Sequence, residues 1–266
     1  MDMAKVCYCA DDFAMNPEIS EAILLLVQKG VLHATSCMTQ SAYWPISAQQ
    51  LKPLSNHIDV GLHLNFTHLF DRQIPIFSLP QLMLKAWFHR LDPKIIQQSI
   101  EQQWNLFISE MKRQPDFVDG HQHIHQFPII REVLIDFLKQ HHFQGWIRNL
   151  EYPVFIPHYS AKTRLLSMLG APTLAAICKQ KNIYQNKNFA GIYDFEDFDY
   201  ARLNQQWLMR AKDHLLIMCH PAMDAIDHKD PIAAARVREF QYLNSSQFRD
   251  DCRLYQISLG PMDALK

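Results

Sequence analysis

This chain of 266 residues places carboxylate and imidazole side chains directly after short apolar runs. Asp11 and Asp12 follow residues 6–10, and His63 follows residues 58–62. Carboxylates and imidazoles bind divalent metal ions and transfer protons. Two adjacent aspartates could divide these tasks, because a carboxylate that is bound to a metal is a poor base. The arrangement therefore predicts metal-assisted hydrolysis.

Further histidines occupy comparable positions later in the chain. His121, His123 and His125 alternate directly after an apolar run, and His220 follows residues 215–219. Side chains alternate along an extended segment, so the three alternating imidazoles are expected on one face. Apolar residues flank this cluster, which favours a metal or catalytic site over a solvated sheet edge.

Strand-like segments alternate with amphipathic segments that have the spacing of helices. Helix starts are predicted at Asn16-Pro17, Asp92-Pro93 and Pro128. This alternation indicates an α/β protein whose parallel sheet forms a barrel or partial barrel. The carboxyl ends of parallel strands lie at one edge of a sheet, so the polar residues that follow them are expected to form one site. Strands are predicted at residues 6–10, 58–65, 117–121, 215–219 and 254–259.

The organisation predicted from the sequence is one domain over residues 1–266. Two segments, 68–91 and 155–188, interrupt the alternation and are interpreted as insertions over one end of the sheet. Seven glycines form neither a dinucleotide-binding fingerprint nor a phosphate-binding loop. The formal charge of -1 argues against a nucleic-acid partner.

The six cysteines form no C-x-x-C pair and lie mostly in apolar runs, which favours reduced, buried thiols. The N-terminal residues lack the apolar core of a secretory signal, and no apolar stretch has the length of a membrane span. We therefore expect a cytoplasmic protein without a transmembrane segment. The sequence leaves monomer and homodimer open.

Four motifs occur in the order in which the YdjC-like deacetylases carry them. They are A-D-D-F at 10–13, V-G-L-H-L at 60–64, D-G-H-Q-H-I-H at 119–125 and C-H-P at 219–221. The sequence resembles this family, which includes chitooligosaccharide deacetylases, over nearly its whole length. The resemblance implies a distorted (β/α) barrel similar to a TIM barrel. It also implies a divalent metal ion, with Mg²⁺ expected first and Zn²⁺ as the alternative.

The resemblance also assigns roles to individual residues. It implies metal ligation by Asp12, His63 and His121, a general base at Asp11 and a general acid at His220. The implied activity is removal of the N-acetyl group from an amino sugar or oligosaccharide by a metal-activated water. A further set of residues is expected to bind the substrate: His123, His125 and Arg148.

The sequence departs from the family pattern at two places. Ala14 stands where glycine is common, and Gln122 stands where histidine is often found. Neither departure removes an expected ligand, so they concern the shape of the first loop and the range of substrates.

Other functions remain open. One is a different metal-dependent amidohydrolase or phosphoesterase on a similar barrel, although such enzymes generally carry an H-x-H pair on their first strand. Another is a carbohydrate-binding protein without catalysis. Residues 82–88 would suit a lipid interface, but an apolar lid over the barrel mouth explains them more simply.

Overall fold

One curled sheet of parallel strands forms the centre of the computed structural model, which describes residues 3–70, 76–225, 227 and 230–262. Hydrogen bonds join the strands in the order β6-β5-β4-β3-β2-β1-β8-β7, and β9 also pairs with β1. The strands in the described residues are β1 (Ala4–Phe13), β2 (Ala34–Cys37), β3 (Asp59–Leu64), β4 (Phe117–Gly120), β5 (Trp146–Ile147), β6 (Tyr184–Gln185), β7 (Asn188–Ala190), β8 (Leu215–Cys219) and β9 (Ile257–Leu259).

Helices connect the strands. The predicted starts of the first and fourth helices are confirmed, because Asn16 and Asp92 each accept a backbone N–H of the first turn. None of the described helices is both long and apolar enough to cross a membrane. The helices are α1 (Pro17–Gln28), α2 (Trp44–Leu51), α3 (Leu79–Trp87), α4 (Pro93–Met111), α5 (Ile130–Gln140), α6 (Ser160–Met168), α7 (Ala171–Lys181), α8 (Tyr200–Met209), α9 (Ala233–Leu243) and α10 (Ser246–Leu254).

The sheet curls back on itself, which confirms the predicted distorted barrel. Strands β6 and β7 lie at opposite ends of the hydrogen-bonded order, yet only residues 186–187 separate them in sequence. Gln185 and Asn188 are three residues apart, so their Cα atoms lie within about 11 Å and the two ends of the sheet must be close. The side chain of Asn186 crosses this gap: it accepts the N–H of Asn149 and donates to the carbonyls of Asn149 and Asn188.

A bulge near the end of β1 brings two successive aspartates to the same cavity. Ala10 pairs with Thr35 and Phe13 with Cys37, so the stretch of β1 between these pairs contains one residue more than that of β2. Asp12 takes up the distortion with a φ of 67°. In a regular strand its side chain and that of Asp11 would point to opposite faces.

The position at which the family commonly has glycine is also in the left-handed region. Ala14 has a φ of 69°, and its N–H donates to the Ser20 hydroxyl. An L-residue with a Cβ is strained in this conformation, whereas glycine is not. The first loop therefore keeps a backbone shape that glycine would adopt at lower cost.

The segment that carries the alternating histidines is not extended, contrary to the prediction. Strand β4 ends at Gly120, and residues His121–Gln126 form a 3₁₀ turn in which Gln122 and His123 have φ values of 55° and 59°. The three imidazoles consequently occupy different environments instead of sharing a face.

The two segments interpreted as insertions contain regular structure. Residues 68–91 include α3, although 71–75 lie outside the described residues. Residues 155–188 include α6, α7 and the edge strand β6. Leu79 of α3 and Leu166 of α6 line the cavity described below, so both segments contribute to its wall.

Candidate active site

A cavity of about 540 Å³ lies at the carboxyl edge of the sheet. Its size falls in the range of small-molecule binding sites, about 300–1,000 Å³. Two residues expected near the substrate, His125 and Arg148, do not contribute to its wall and are fully buried. The other expected site residues line the cavity: Asp11, Asp12, His63, His121, His123 and His220.

Three of these side chains form a compact group of nitrogen and oxygen donors. Asp12 Oδ1 lies 3.3 Å from His63 Nε2 and 3.0 Å from His121 Nδ1. One ligand atom from each of the three residues lies within 4.8 Å of the other two. They come from β1, from β3 and from the turn after β4, whose carboxyl ends meet at this edge.

Contacts behind this group fix the orientation of its members. His63 Nδ1 lies 2.6 Å from Asp119 Oδ1 and 3.0 Å from the Ser36 hydroxyl. A carboxylate accepts hydrogen bonds, so Nδ1 carries a proton and Nε2 faces Asp12. The second oxygen of Asp12 accepts a hydrogen bond of 2.7 Å from Arg236.

The charges in this group stabilise one another. Burial alone would raise the pKa of Asp12, but Arg236 and His121 outweigh burial and hold it well below its usual range. Burial would also lower the pKa of His63, yet Asp119 and Asp12 raise it to about 10. A cation between these side chains would be attracted by the negative charge of Asp12. It would take the place of a proton on the imidazole nitrogen that faces Asp12.

The donors fit a divalent metal ion. One carboxylate and two imidazoles form a frequent ligand set for a catalytic metal, since the remaining positions stay open for water and substrate. Metal-binding histidines commonly donate their other N–H to a carboxylate, as His63 does to Asp119. The described residues hold a second candidate group, Cys9, Asp11 and Asp119, but the guanidinium of Arg148 already contacts all three.

Asp11 has a partner of its own, the guanidinium of Arg148. Arg148 donates to both of its oxygens, at 2.6 and 2.5 Å, and also lies 2.7 Å from Asp119. Burial opposes ionisation of Asp11, but Arg148 outweighs burial and lowers the pKa of this carboxyl well below its usual range. Asp11 is therefore an oriented carboxylate that faces the cavity.

Arg148 and His125 thus have a different place from the one expected. Arg148 is fully buried and donates to both oxygens of Asp11. His125 Nε2 donates to the Arg148 carbonyl at 2.9 Å, and burial lowers the pKa of His125 to about 4, so the imidazole is neutral. Neither side chain lines the cavity: Arg148 contacts Asp11, and His125 contacts the backbone of Arg148. His123 does line the cavity, as a neutral imidazole whose pKa burial lowers.

His220 is the imidazole that approaches Asp11. Its Nε2 is 3.9 Å from Asp11 Oδ2, and the ring of Phe195 packs edge-on against it at 5.2 Å between centroids. The carboxylate of Glu239 on α9 also approaches the imidazole, with Oε1 at 3.8 Å from Nδ1.

Sequence reasoning missed three charged residues of the site. Asp119 stands inside a recognised motif, two residues before His121. Its position on β4 could therefore have identified it as a site residue. Arg236 and Glu239 come from α9, and no spacing relates them to the strand ends. Two aromatic residues of the cavity wall, Tyr193 and Phe195, were not predicted either.

The fold and the site define a class, that of α/β barrel proteins with an Asp-His-His group at the carboxyl edge of the sheet. A family model described as YdjC-like protein matches residues 5–254. This chain belongs to the YdjC-like family.

Similar proteins carry names that refer to deacetylation. A chitooligosaccharide deacetylase of Serratia marcescens is 25% identical over 255 residues, 89% of each chain. A carbohydrate deacetylase of Enterococcus faecalis is 26% identical over 133 residues, which span about half of that protein (51%). The crystal structure of an Enterococcus faecalis protein described as a cellobiose-phosphate cleavage protein superposes with a TM-score of 0.72 at 17% identity, covering 99% of both chains. This superposition shows the common fold.

Proposed function

We propose that this protein is a metal-dependent carbohydrate deacetylase that hydrolyses the N-acetyl group of an amino sugar or oligosaccharide. The observation that carries the proposal is the joint presence, in one cavity, of the Asp12-His63-His121 group and of a separate carboxylate and imidazole, Asp11 and His220, 3.9 Å apart. The names of the relatives support the choice of substrate.

Amide hydrolysis needs each of these components. Water adds to the acetyl carbon, the C–N bond breaks, and acetate and a free amine result. Asp12, His63 and His121 would hold a divalent ion, which polarises the amide carbonyl and lowers the pKa of water. Asp11, oriented by Arg148, accepts the proton of the attacking water. His220 donates a proton to the amine nitrogen, which is otherwise a very poor leaving group.

The donor set bears on which metal the protein uses. Mg²⁺ prefers oxygen ligands in octahedral geometry, whereas two imidazoles and one carboxylate suit Zn²⁺ or another transition metal. We propose Zn²⁺ ahead of Mg²⁺ on this ground. Reconstitution of chelator-treated protein with each ion separately, followed by an acetate-release assay, distinguishes them.

The cavity wall suits a sugar ring. Tyr193 and Phe195 offer aromatic surface, and His123 and Thr67 offer polar atoms beside the apolar Leu79 and Leu166. Six free, buried cysteines support placement in a reducing compartment, and we propose the cytoplasm.

Acetate release tests the function. The metal-loaded protein is incubated with N-acetylated chitooligosaccharides and other N-acetyl sugars, alongside Asp11→Asn, His63→Ala and the remote control Asp251→Asn. We expect acetate from the wild type and the control, and at least about 100-fold less from the two site variants. Phosphate release from a panel of phosphate esters, with no acetate from any sugar, would establish the alternative of a phosphoesterase. Binding of sugars without turnover would establish the carbohydrate-binding protein.

A further inference from the structure

Glu239 is a buried carboxylate against the proposed proton donor. Its side chain is 1% exposed, Oε2 accepts the backbone N–H of His220 at 2.5 Å, and Oε1 lies 3.8 Å from His220 Nδ1. No arginine or lysine forms an ion pair with Glu239 within the described part of the chain. Burying a carboxylate without a cationic partner destabilises the folded state unless hydrogen bonds satisfy its oxygens.

Both ring nitrogens of His220 face a carboxylate. Nε2 faces Asp11 of β1 at 3.9 Å, and Nδ1 faces Glu239 of α9 at 3.8 Å. Among the described residues, Nδ1 is buried and has no hydrogen-bond partner at closer range. Phe195 packs against the ring face. The imidazole thus lies between two carboxylates, each just beyond hydrogen-bond distance, with Nε2 on the side of the proposed base.

Tyr193 fixes the carboxylate from the cavity side. Its hydroxyl donates to Glu239 Oε1 at 2.5 Å, and the same tyrosine lines the cavity. Burial and the adjacent Glu239 raise the pKa of Tyr193 far above its usual range, so this hydroxyl remains a donor. The tyrosine therefore joins the wall that a substrate would contact to the carboxylate behind His220.

We propose that Glu239 is a positioning residue for His220, and that Tyr193 holds Glu239 in place. The inference rests on the proposed function. Glu239 fixes the backbone of His220 through Oε2 and places a negative charge 3.8 Å from Nδ1, which favours a proton on that nitrogen, while the proton on Nε2 moves to the amine nitrogen as the C–N bond breaks. Glu239 itself does not touch the substrate.

Glu239→Gln removes the charge at nearly constant shape and tests the proposal. We expect kcat for an N-acetylated chitooligosaccharide to fall about 10- to 100-fold with little change in KM. Hydrolysis of 4-nitrophenyl acetate should change by less than about 3-fold, because 4-nitrophenolate leaves without a proton. His220→Ala should show the same selectivity, and Tyr193→Phe a weaker form of it. Equal losses on amide and ester in Glu239→Gln would overturn the proposal in favour of a merely structural role.

A second readout does not depend on turnover. The nitrogen chemical shifts of His220, measured with ¹⁵N-labelled histidine and assigned with His220→Gln, should change in Glu239→Gln. The matched control is Asp251→Asn, because Asp251 likewise accepts a tyrosine hydroxyl, that of Tyr242 at 2.8 Å, but does not line the cavity. Unchanged His220 shifts in Glu239→Gln would overturn the proposal even if the protein is a deacetylase. If the His220 signals shift but the wild type releases no acetate, the positioning role of Glu239 is supported and the proposed deacetylase function is not.

Discussion

The two edges of the sheet both carry aspartates, but the surroundings of these aspartates differ. At the amino edge, Asp59 accepts the Trp146 indole N–H at 3.1 Å and the Met262 N–H at 2.9 Å. Asp116 accepts the Val60 N–H at 2.8 Å. Asp116, which is about one-third exposed, also accepts a hydrogen bond from the Arg113 guanidinium at 2.7 Å. These donors are thus backbone amides, an indole and a guanidinium, none of which loses its proton near neutral pH. The carboxylates at this edge tie segments together.

At the carboxyl edge, the partners of the aspartates are imidazoles and guanidinium groups. Asp12 faces His63 and His121, and Asp11 is held by Arg148. Imidazoles exchange protons and bind metals near neutral pH, and these carboxylates face a cavity. The same residue type therefore stabilises the fold at one edge and is available for chemistry at the other.

Among the substitutions that test this comparison, Asp11→Asn should cause the largest loss of activity. The variant keeps the shape and one acceptor for Arg148 but loses the base, so kcat should fall about 10²- to 10⁴-fold. Acetate release under saturating substrate measures the loss. A kcat within a few-fold of the wild type would show that the carboxyl edge does not use this carboxylate as a base.

Asp119→Asn should weaken metal binding about 10- to 100-fold, because His63 loses the carboxylate that fixes its Nδ1 proton. Competition with a chromogenic chelator measures the affinity. An unchanged affinity would mean that Asp119 serves Arg148 alone.

Asp59→Asn tests the contrast between the two edges at the amino edge of the sheet. It should lower the free energy of unfolding by about 1–2 kcal/mol, since two donors lose a charged acceptor, while activity stays within about 2-fold. Urea denaturation and the acetate assay are the measurements. A large loss of activity at unchanged stability would contradict the claim that the aspartates of the amino edge stabilise the fold and take no part in catalysis.

Ala14→Gly should have the smallest effect, in the stabilising direction. Glycine relieves the strain of a φ of 69° but gains freedom in the unfolded chain, which leaves about 0.5–1 kcal/mol in its favour. The shift of the urea midpoint measures it. Destabilisation would indicate that packing of the Ala14 methyl outweighs the strain.

The strand ends were predictable from sequence because apolar runs followed by Asp or His mark the carboxyl edge of a parallel sheet. Strand β8 is at its predicted position, and β3 is one residue shorter at each end than predicted. Strand β1 begins two residues before and ends three residues after the predicted 6–10, so Asp11 and Asp12 lie within it. Strand β2 was not predicted, since its four residues A-T-S-C carry little apolar signal. The bulge at Asp12 and the 3₁₀ turn at His121–Gln126 were also missed, because left-handed residues without glycine leave no local mark.

Partners of the site residues were the least predictable part. Arg148 directly follows the short strand β5, where substrate contact and support of Asp11 are equally compatible with the sequence. Arg236 and Glu239 reach the site from a helix about 15–20 positions after His220, and only tertiary packing brings them there. Their roles follow from distances between atoms, which spacing along the chain does not determine.

Calorimetric titration of chelator-treated protein with Zn²⁺ tests the central claim most directly, namely that the carboxyl edge holds a metal between Asp12, His63 and His121. We predict one ion per chain in the wild type and in Asp59→Asn, and loss of this binding in both His63→Ala and His121→Ala. Binding of the ion with unchanged affinity in the two histidine variants would contradict the account.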